Sequence, residues 1–467
     1  MKKKPARSLT TAATRRLLAP VRRKGAAFAR ARPGESGARQ AVHTVYGGAH
    51  LFRFDSAPKL GALALRSLDE YASTPAELAE ALDLQAPEGR SRADFVATVY
   101  ERVRAKLEKE PVEDFRVDFE DGYGNRPDAE EDGHALAAAE EMARGMAEGT
   151  LPPFVGIRIK PFSPELAERA LRTLDLFVTA LLAQGRGLPA GFVVTLPKVT
   201  LREQVAALAG ALAALETRGR LPRGSLRLEL MVETPQSILD GRGVAALPSL
   251  VAAAAGRCTG AHFGTYDYTA ACGITAAHQA MTHAACEFAK QVMQVVLAGT
   301  GIALSDGATN VMPVGPHRAV AGGPPLGPDQ LAQNRAAVHR AWRRHFEDAR
   351  SSMRHGFYQG WDLHPAQLPS RYAAVYSFFL EGFESASTRL RTFMETAARA
   401  TLIGDVFDDA ATGQGLLNYF LRGVSCGAIT AGEARATGLT LDELRTRSFL
   451  RILEGRRARA GSPGPVR

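Results

Sequence analysis

Residues 192–235 read FVVTLPKVTLREQVAALAGALAALETRGRLPRGSLRLELMVETP. Two short apolar runs, Phe192–Leu196 and Leu226–Val232, lie near the ends of this stretch, and an Ala/Leu-rich segment, Arg202–Leu215, lies between them. The apolar residues of the middle segment recur with the spacing of one helix face, whereas the flanking runs have the length and composition of strands. The stretch therefore predicts a strand, a helix and a second strand, which is the repeating unit of parallel sheets.

The same alternation of strands and helices continues on both sides of this unit. Six further strands bring the predicted number to eight, and they are Val42–Tyr46, Phe115–Phe119, Phe154–Ile159, Thr259–Phe263, Gly301–Leu304 and Trp361–Leu363. Eight strands that alternate with helices favour a closed (β/α)8 barrel, the TIM barrel of the α/β class, over an open doubly wound sheet.

Four parts of the chain are predicted from this pattern. Residues 1–40 are expected to form a basic, flexible extension, and residues 41–366 the barrel, with a long helical insertion at 56–110 after the first strand. Residues 367–454 show helical patterns without a convincing strand, which predicts a helical C-terminal extension or cap. The tail 455–467 is rich in Arg, Gly and Pro and is expected to be disordered.

The bulk composition excludes several classes of protein. Hydrophobic residues make up 45% of the chain and charged residues 23%, and no apolar run reaches the length that spans a bilayer, so we expect a soluble protein and no membrane partner. The net charge is +9, but residues 1–40 alone carry +11, which leaves −2 for the remainder and argues against nucleic acid as a partner. Four cysteines without a CxxC pair indicate a reducing compartment, and we expect a cytoplasmic protein.

Ionisable residues end seven consecutive predicted strands. They are Glu120 and Asp121 after the second strand, Arg158 and Lys160 at the third, then Lys198, Glu233, Asp267, Asp306 and, after the eighth strand, His364. The C-terminal ends of the strands of a parallel barrel form one shared mouth, where the active sites of such barrels lie. Because the strands are otherwise apolar, this clustering of charge indicates an enzyme.

The carboxylates of this set predict a metal ion. Glu120, Asp121, Glu233, Asp267 and Asp306 could not all remain ionised at one mouth without a compensating charge. Oxygen ligands favour a hard cation, which predicts Mg²⁺, or Mn²⁺ in its place. Arg158 would then offer a planar pair of donors to a substrate carboxylate or to an enolate oxygen.

Each of these residues also has a structural explanation. Glu120 and Asp121 could cap the following helix, and Asp306 before Gly307 is a good turn former. Lys198 could be a Schiff-base lysine, although an ion pair with the neighbouring carboxylates is the simpler account. His364 could hydrogen-bond within a loop. From their positions at strand ends, we assign Lys198, Asp306 and His364 to substrate binding, beside Arg158.

Motifs at the strand ends carry a resemblance to a known family. They are VDFED at 117–121, GIRI at 156–159, LPKV at 196–199, VETP at 232–235, FGTYD at 263–267 and LHPAQ at 363–367. In this order, from about residue 44 to residue 367, the sequence resembles the citrate lyase beta-subunit and acidic aldolase family, with more distant malate synthase-like features. The resemblance implies a magnesium-dependent barrel that often assembles as a trimer or hexamer.

The resemblance also implies roles for individual residues. Glu233 and Asp267 match the metal ligands, and Arg158 matches the substrate-binding arginine. Glu120 and Asp121 match an acidic pair that we expect to be catalytic together with Arg158.

The function implied is a Mg²⁺-dependent carbon–carbon lyase or aldolase that acts on a small 2-oxo or hydroxy acid through a metal-stabilised enolate. The chain departs from the family at Tyr46-Gly47-Gly48, where a Pro-Gly turn is usual, and Tyr266–Tyr268 is closer to the malate synthase pattern. These departures leave open whether the substrate is a CoA thioester. Two alternatives also stay open: a transferase that uses phosphoenolpyruvate or pyruvate at the same site, and a barrel that binds a ligand without catalysis.

Overall fold

The structure is a computed structural model that describes residues 8–34, 38–319, 322–395, 401–403, 406–408, 410–446, 451–452 and 454–456. Most of the predicted disordered tail, residues 457–467, lies outside these ranges, as do residues 1–7 of the predicted basic extension.

Eight parallel strands close into a barrel in chain order, with β1 pairing to β8. They are β1 (His43–Gly48), β2 (Asp114–Asp118), β3 (Phe154–Arg158), β4 (Val193–Leu196), β5 (Arg227–Val232), β6 (Cys258–Phe263), β7 (Ala303–Ala308) and β8 (Gln359–Asp362). The predicted (β/α)8 barrel is confirmed, and its eight strands are those expected from the sequence. The largest difference is at β7, which ends four residues beyond the predicted Leu304.

Helices fill the intervals between the strands. Three helices form the predicted insertion after β1, namely α2 (Ser56–Tyr71), α3 (Pro75–Leu82) and α4 (Arg92–Lys109). The helices that follow β2 to β7 are α5 (Asp128–Glu148), α6 (Ala167–Ala183), α7 (Arg202–Arg218), α8 (Pro235–Ile238), α9 (Leu247–Ala253), α10 (Thr265–Ala271), α11 (Ala284–Leu297) and α12 (Pro328–Arg354). None of the helices in the described ranges combines the length and the apolarity needed to cross a membrane.

Helical segments also lie before and after the barrel. Within the segment that we expected to be a flexible extension, Thr11–Ala31 forms helix α1. After the barrel come α13 (Leu368–Glu381), α14 (Phe383–Glu395), a hairpin of β9 (Thr401–Ile403) and β10 (Val406–Asp408), α15 (Ala410–Ser425), α16 (Ala431–Ala434) and α17 (Leu441–Thr446).

A layer of buried ionic side chains fills the barrel below its mouth. The Arg116 guanidinium on β2 lies 2.9 Å from the Glu229 carboxylate on β5 and also pairs with Asp114. Alternate residues of a strand point to the same face, so Asp118, two residues beyond Arg116, also faces the interior, one level closer to the mouth. The paired ionic layer therefore supports the side chains at the mouth from below.

A second buried ionic group ties the C-terminal helices to the barrel wall. Asp362 at the end of β8 accepts from His43 at 2.7 Å, from His345 of α12 at 2.9 Å and from Arg371 of α13 at 2.8 Å. Ser370, His345 and Asp362 form a Ser–His–Asp chain of hydrogen bonds, but all three side chains are buried. A substrate cannot reach this chain, so its role is structural.

Candidate active site

Seven charged side chains meet at the C-terminal ends of β2 to β6, and we call them the site cluster. They are Asp118, Glu120, Asp121, Arg158, Lys198, Glu233 and Asp267. The structure thus brings together six of the eight residues that the sequence assigned to the site; Asp118 is the addition.

Arg158, at the end of β3, is held in one orientation. Its Nε donates to Oδ1 of Asp118 at 2.7 Å and its Nη2 to Oδ2 at 2.5 Å, while Nη1 lies 3.0 Å from Oε2 of Glu120. Burial alone would lower the pKa of Arg158, but the charge of Asp118, the hydrogen bonds to it and the charge of Glu120 together outweigh burial and raise the pKa above its ordinary value. The guanidinium is therefore a fixed positive charge below the mouth.

Lys198 joins the two sides of the cluster. Its φ angle is +49°, a left-handed conformation that is uncommon for a residue other than glycine and that carries backbone strain. In this conformation its backbone N–H donates to Oε1 of Glu233 at 2.6 Å. Its ammonium group pairs with Glu120 and lies 3.2 Å from Asp121 and 3.4 Å from Asp267.

Glu233 is a buried carboxyl at the end of β5, directly before Thr234, whose side chain caps α8. Burial raises the pKa of Glu233 to about 8, and the negative charge of Asp267 adds to the shift. Without a nearby cation beyond those of the protein, this carboxyl therefore tends to hold a proton at neutral pH. A cation bound beside Glu233 would stabilise the charged form of this carboxyl and so offset the cost of ionising it.

Two glycines leave room for the carboxylates of the cluster. A Cβ atom at Gly264 would lie 2.5 Å from Oε2 of Glu233, and one at Gly122 would lie 2.6 Å from Oδ2 of Asp118. The Gly122 N–H donates to that same oxygen at 2.7 Å. Both positions thus need glycine for a close approach of the backbone.

The charge of the cluster and its oxygen donors fit a divalent cation. Five carboxylates stand against two cationic side chains, and Asp267, in the first turn of α10, keeps 42% of its side chain exposed at the mouth. In the part of the chain that the structure describes, no three His, Cys, Asp or Glu side chains group as a full metal cage. Mg²⁺ usually takes one or two protein carboxylates and completes its shell with water, so Glu233 and Asp267 would suffice for it.

The structure places Asp306 away from the cluster. Its side chain is buried on the outer side of β7, where it accepts from Lys290 of α11 at 3.0 Å and from Ser352 of α12 at 2.6 Å. His364 is half-buried, and its Nδ1 accepts from the Ala366 backbone N–H at 3.1 Å. His364 therefore caps the short 3₁₀ turn Pro365–Gln367, the loop role that the sequence left open.

Comparison with known proteins identifies the family. Residues 21–452 match the model of a family described as "Domain of unknown function (DUF6986)". The chain belongs to the DUF6986 family. No curated protein matches the DUF6986 chain in sequence.

Solved structures resemble this DUF6986 protein to different degrees. A citrate lyase from Burkholderia xenovorans LB400 is 18% identical, covers 76% of this chain and 96% of its own, and has a TM-score of 0.52. Haloferax volcanii malate synthase, in its magnesium and glyoxylate complex, is 13% identical over 89% of this chain and 97% of its own, with a TM-score of 0.43. The citrate lyase likeness confirms the expected resemblance at the level of the fold.

The sequence did not assign Asp118, Tyr46 or Trp361 of the DUF6986 chain to the site. Asp118 orients Arg158, the Tyr46 ring lies 4.7 Å from the Arg158 guanidinium carbon, and the Tyr46 and Trp361 rings lie 4.8 Å apart. All three belong to strands rather than to the loops that follow them. The sequence did contain a signal for Asp118. Side chains alternate between the two faces of a strand, so Asp118 lies on the same face as Glu120, which was assigned to the site.

Proposed function

We propose that this protein is a Mg²⁺-dependent carbon–carbon lyase or aldolase that acts on a small 2-oxo or hydroxy acid, with Glu233 and Asp267 as the protein ligands of the metal. The observation that carries the proposal is the buried carboxyl of Glu233, with its pKa raised to about 8 by burial and by Asp267. Ionising Glu233 beside the other carboxylates of the cluster is costly unless a cation compensates the charge. The excess of carboxylates over cationic side chains in the cluster supports the same assignment.

The substrate acid would bind between the metal position and Arg158. Its carboxylate would be attracted by the charge of the guanidinium, whose Nε and Nη2 are held by Asp118, so that Nη1, 3.0 Å from Glu120, is the group left to donate to it. When bound, Mg²⁺ would supply Lewis-acid stabilisation of the enolate charge that develops as the carbon–carbon bond breaks or forms. The strained Lys198 backbone holds the Glu233 carboxylate in place through its N–H.

The environments of Glu120 and Asp121 shift the pKa values of their carboxyls in opposite directions. Burial raises the pKa of Glu120. Burial would also raise the pKa of Asp121, but hydrogen bonds to Glu120 and Lys198 and the charges of Lys198 and Arg158 together lower it. A pair of carboxyls with separated pKa values is suited to divide the roles of acid and base. We assign proton donation to Glu120 and proton acceptance to Asp121, which is the more exposed of the two at the mouth.

The resemblance to the lyase family also supports a homo-oligomer of three or six copies, and the four cysteines without a CxxC pair support a cytoplasmic location. Light scattering of the purified full chain measures the first directly. Neither proposal bears on the assignment of the metal ligands.

Isothermal titration of the full chain with Mg²⁺ and pyruvate, oxaloacetate or glyoxylate tests the proposal. We expect a 2-oxo acid to bind only when Mg²⁺ is present, and we expect Glu233→Ala and Asp267→Ala each to weaken this binding by at least about 100-fold. Glu203→Ala, at an exposed acid on α7, is the matched control and should bind as the wild type does.

Three results would contradict parts of the proposal. Metal binding that survives both substitutions would show that the ligands are assigned wrongly. No metal binding by the wild type would favour the barrel that binds a ligand without catalysis. Release of phosphate from phosphoenolpyruvate, without carbon–carbon cleavage of any adduct, would favour the transferase.

A further inference from the structure

Helix α1 carries only positive charge and leaves an apolar face uncovered. Its cations are Arg15, Arg16, Arg22, Arg23, Lys24 and Arg30, and it contains no Asp or Glu. None of its residues is buried, and the exposed fractions of Leu17, Val21 and Phe28 are 60%, 63% and 64%. Large apolar side chains of one helix are seldom this exposed unless something covers them.

Four of the six cations of α1 lie opposite its exposed apolar residues, and Lys24 lies beside Leu17. At about 100° per residue, Leu17, Val21 and Phe28 fall within about 40° of one another around the helix axis. Arg15, Arg22, Arg23 and Arg30 fall on the far side. The helix is therefore amphipathic, with a narrow apolar face and a wide cationic one.

The base of α1 is fixed to the end of the barrel that lies opposite the mouth. The Arg32 side chain donates to the carbonyls of Ala298 and Val296, and the Gly34 N–H donates to the carbonyl of Gly299 at 2.8 Å. These carbonyls lie at the end of α11 and in the loop that leads from it to β7, on the N-terminal side of the strands. A surface that covered α1 would leave the site cluster open to solvent.

We propose that α1 docks this protein on the surface of an anionic phospholipid bilayer, with the helix lying in the plane of the membrane. The apolar face would enter the boundary between headgroups and acyl chains, and the cations would contact the anionic headgroups. A bilayer surface would thus contact both the apolar face and the cations of α1. Nucleic acid would engage the cations and leave Leu17, Val21 and Phe28 exposed, and a second copy of the chain would cover the apolar face without neutralising six cations. The proposal replaces the sequence-based expectation that no membrane is involved.

Vesicle flotation of the full chain tests the proposal. We expect the protein to float with phosphatidylglycerol/phosphatidylcholine vesicles, to stay behind with pure phosphatidylcholine vesicles, and to be released by high salt. The combined variant Leu17→Ser, Val21→Ser and Phe28→Ser should lower the partition coefficient by about 100-fold. A second variant, Arg15→Glu, Arg22→Glu and Arg30→Glu, should abolish flotation.

The matched control removes equal apolar surface elsewhere. Leu51→Ser, Leu201→Ser and Leu331→Ser change three leucines that are 69%, 58% and 52% exposed and lie outside α1, and this variant should float as the wild type does. Equal binding to neutral vesicles, or flotation that the α1 variants retain, would overturn the proposal. Retention on DNA without any flotation would assign α1 to nucleic acid instead. A fall in molecular mass of the apolar variant by light scattering, again without flotation of the wild type, would assign it to a second copy.

Discussion

Among single residues, Glu233 determines how the stability of the metal-free protein should depend on pH. Its pKa of about 8 in the fold lies above the ordinary 4.5, so the folded state binds this proton more tightly than the unfolded chain does. The free energy of unfolding should therefore fall as pH rises from about 4.5 to about 8, and then level off. We expect Glu233→Gln, which keeps the shape without the titration, to match the wild type near pH 5. Above pH 8 it should exceed the wild type by a few kcal/mol.

Urea denaturation between pH 5 and pH 9 in the presence of EDTA measures this difference, with Glu203→Gln as the control at an exposed position. Adding Mg²⁺ at pH 8 should stabilise the wild type and leave Glu233→Gln unchanged, because a metal that binds the folded state alone adds to its stability. A wild-type stability that does not change with pH over this range would show that Glu233 titrates normally.

Gly264 should be as necessary to the site as a ligand, although it carries no side chain. In Gly264→Ala the new Cβ would lie 2.5 Å from Oε2 of Glu233, so the carboxylate or the β6 backbone must shift. We expect at least a tenfold loss of metal-dependent 2-oxo acid binding, on the order of 1.4 kcal/mol or more. Gly210→Ala is the control, because it lies on an exposed part of α7 with open space at its Cβ, and it should stabilise the fold by about 1 kcal/mol. Titration calorimetry and thermal unfolding of both variants make the comparison, and unchanged binding in Gly264→Ala would count against the placement of Glu233.

At the level of the elements, the sequence predicts the strands better than it predicts which way their side chains point. The short apolar runs were enough to find all eight strands because the barrel buries them from both sides. The end of β7 was placed at Leu304, so Asp306 was counted as a mouth residue. It lies inside the strand, and alternation turns it outward to Lys290 and Ser352.

The sequence does not show which residues far apart in the chain contact one another. Glu120, Arg158 and Lys198 are far apart in the chain, and the prediction that they meet followed from the barrel alone. The left-handed backbone of Lys198 and the support of Arg158 by Asp118 depend on contacts between strands, which a periodic pattern does not encode. Residues 1–40 were predicted to be a flexible extension from their basic composition, which does not show that Thr11–Ala31 forms helix α1.

The junction of β1, β8, α12 and α13 depends on one carboxylate, Asp362. Burial would raise the pKa of Asp362, but the charge of Arg371 and the hydrogen bonds from His345 and His43 hold it well below the ordinary value. Because the folded pKa is depressed, this contribution to stability is present above about pH 4 and is lost as pH falls. Asp362→Asn would leave Arg371 buried without its counter-charge, and we expect a loss of about 3–5 kcal/mol.

Urea denaturation at pH 7 and at pH 3 gives both the size and the pH dependence of that loss. The difference between Asp362→Asn and the wild type should shrink toward the lower pH, since the wild type loses the contribution there. Asp175→Asn, at an exposed position on α6, is the control and should change stability by less than about 0.5 kcal/mol. A loss that stays constant down to pH 3 would mean that the charge of Asp362 is not what joins these elements.

Over the whole molecule, the barrel and the helices after it share one hydrophobic core. Residues of β5 such as Leu228 and residues of the C-terminal helices such as Phe420 and Leu444 belong to the same continuous cluster of buried side chains. The Phe379 ring of α13 lies 6.2 Å from that of Tyr358, before β8, and 5.4 Å from that of Tyr419 in α15. The Arg422 side chain of α15 also stacks on the Tyr358 ring. The C-terminal segment is therefore part of the fold of the barrel rather than a loosely joined appendage.

This shared core predicts that the full chain unfolds in a single transition and that the barrel cannot be separated from the C-terminal helices. Ending the chain after Glu381 removes the Tyr419 ring from Phe379 and the Arg422 side chain from Tyr358, and it leaves apolar side chains exposed, each at a cost of about 1.5–3 kcal/mol. A few such losses approach the whole net stability of a domain, about 5–15 kcal/mol, so we expect the shortened chain to be insoluble or to lose its cooperative transition.

Deleting residues 1–31 is the matched control, because α1 has no buried residue, and it should leave the melting temperature unchanged. Differential scanning calorimetry of the full chain, the chain that ends at Glu381 and the chain without residues 1–31 tests this prediction. Two separate transitions in the full chain, with the first retained after truncation at Glu381, would show instead that the barrel folds alone and that the C-terminal helices form a domain of their own.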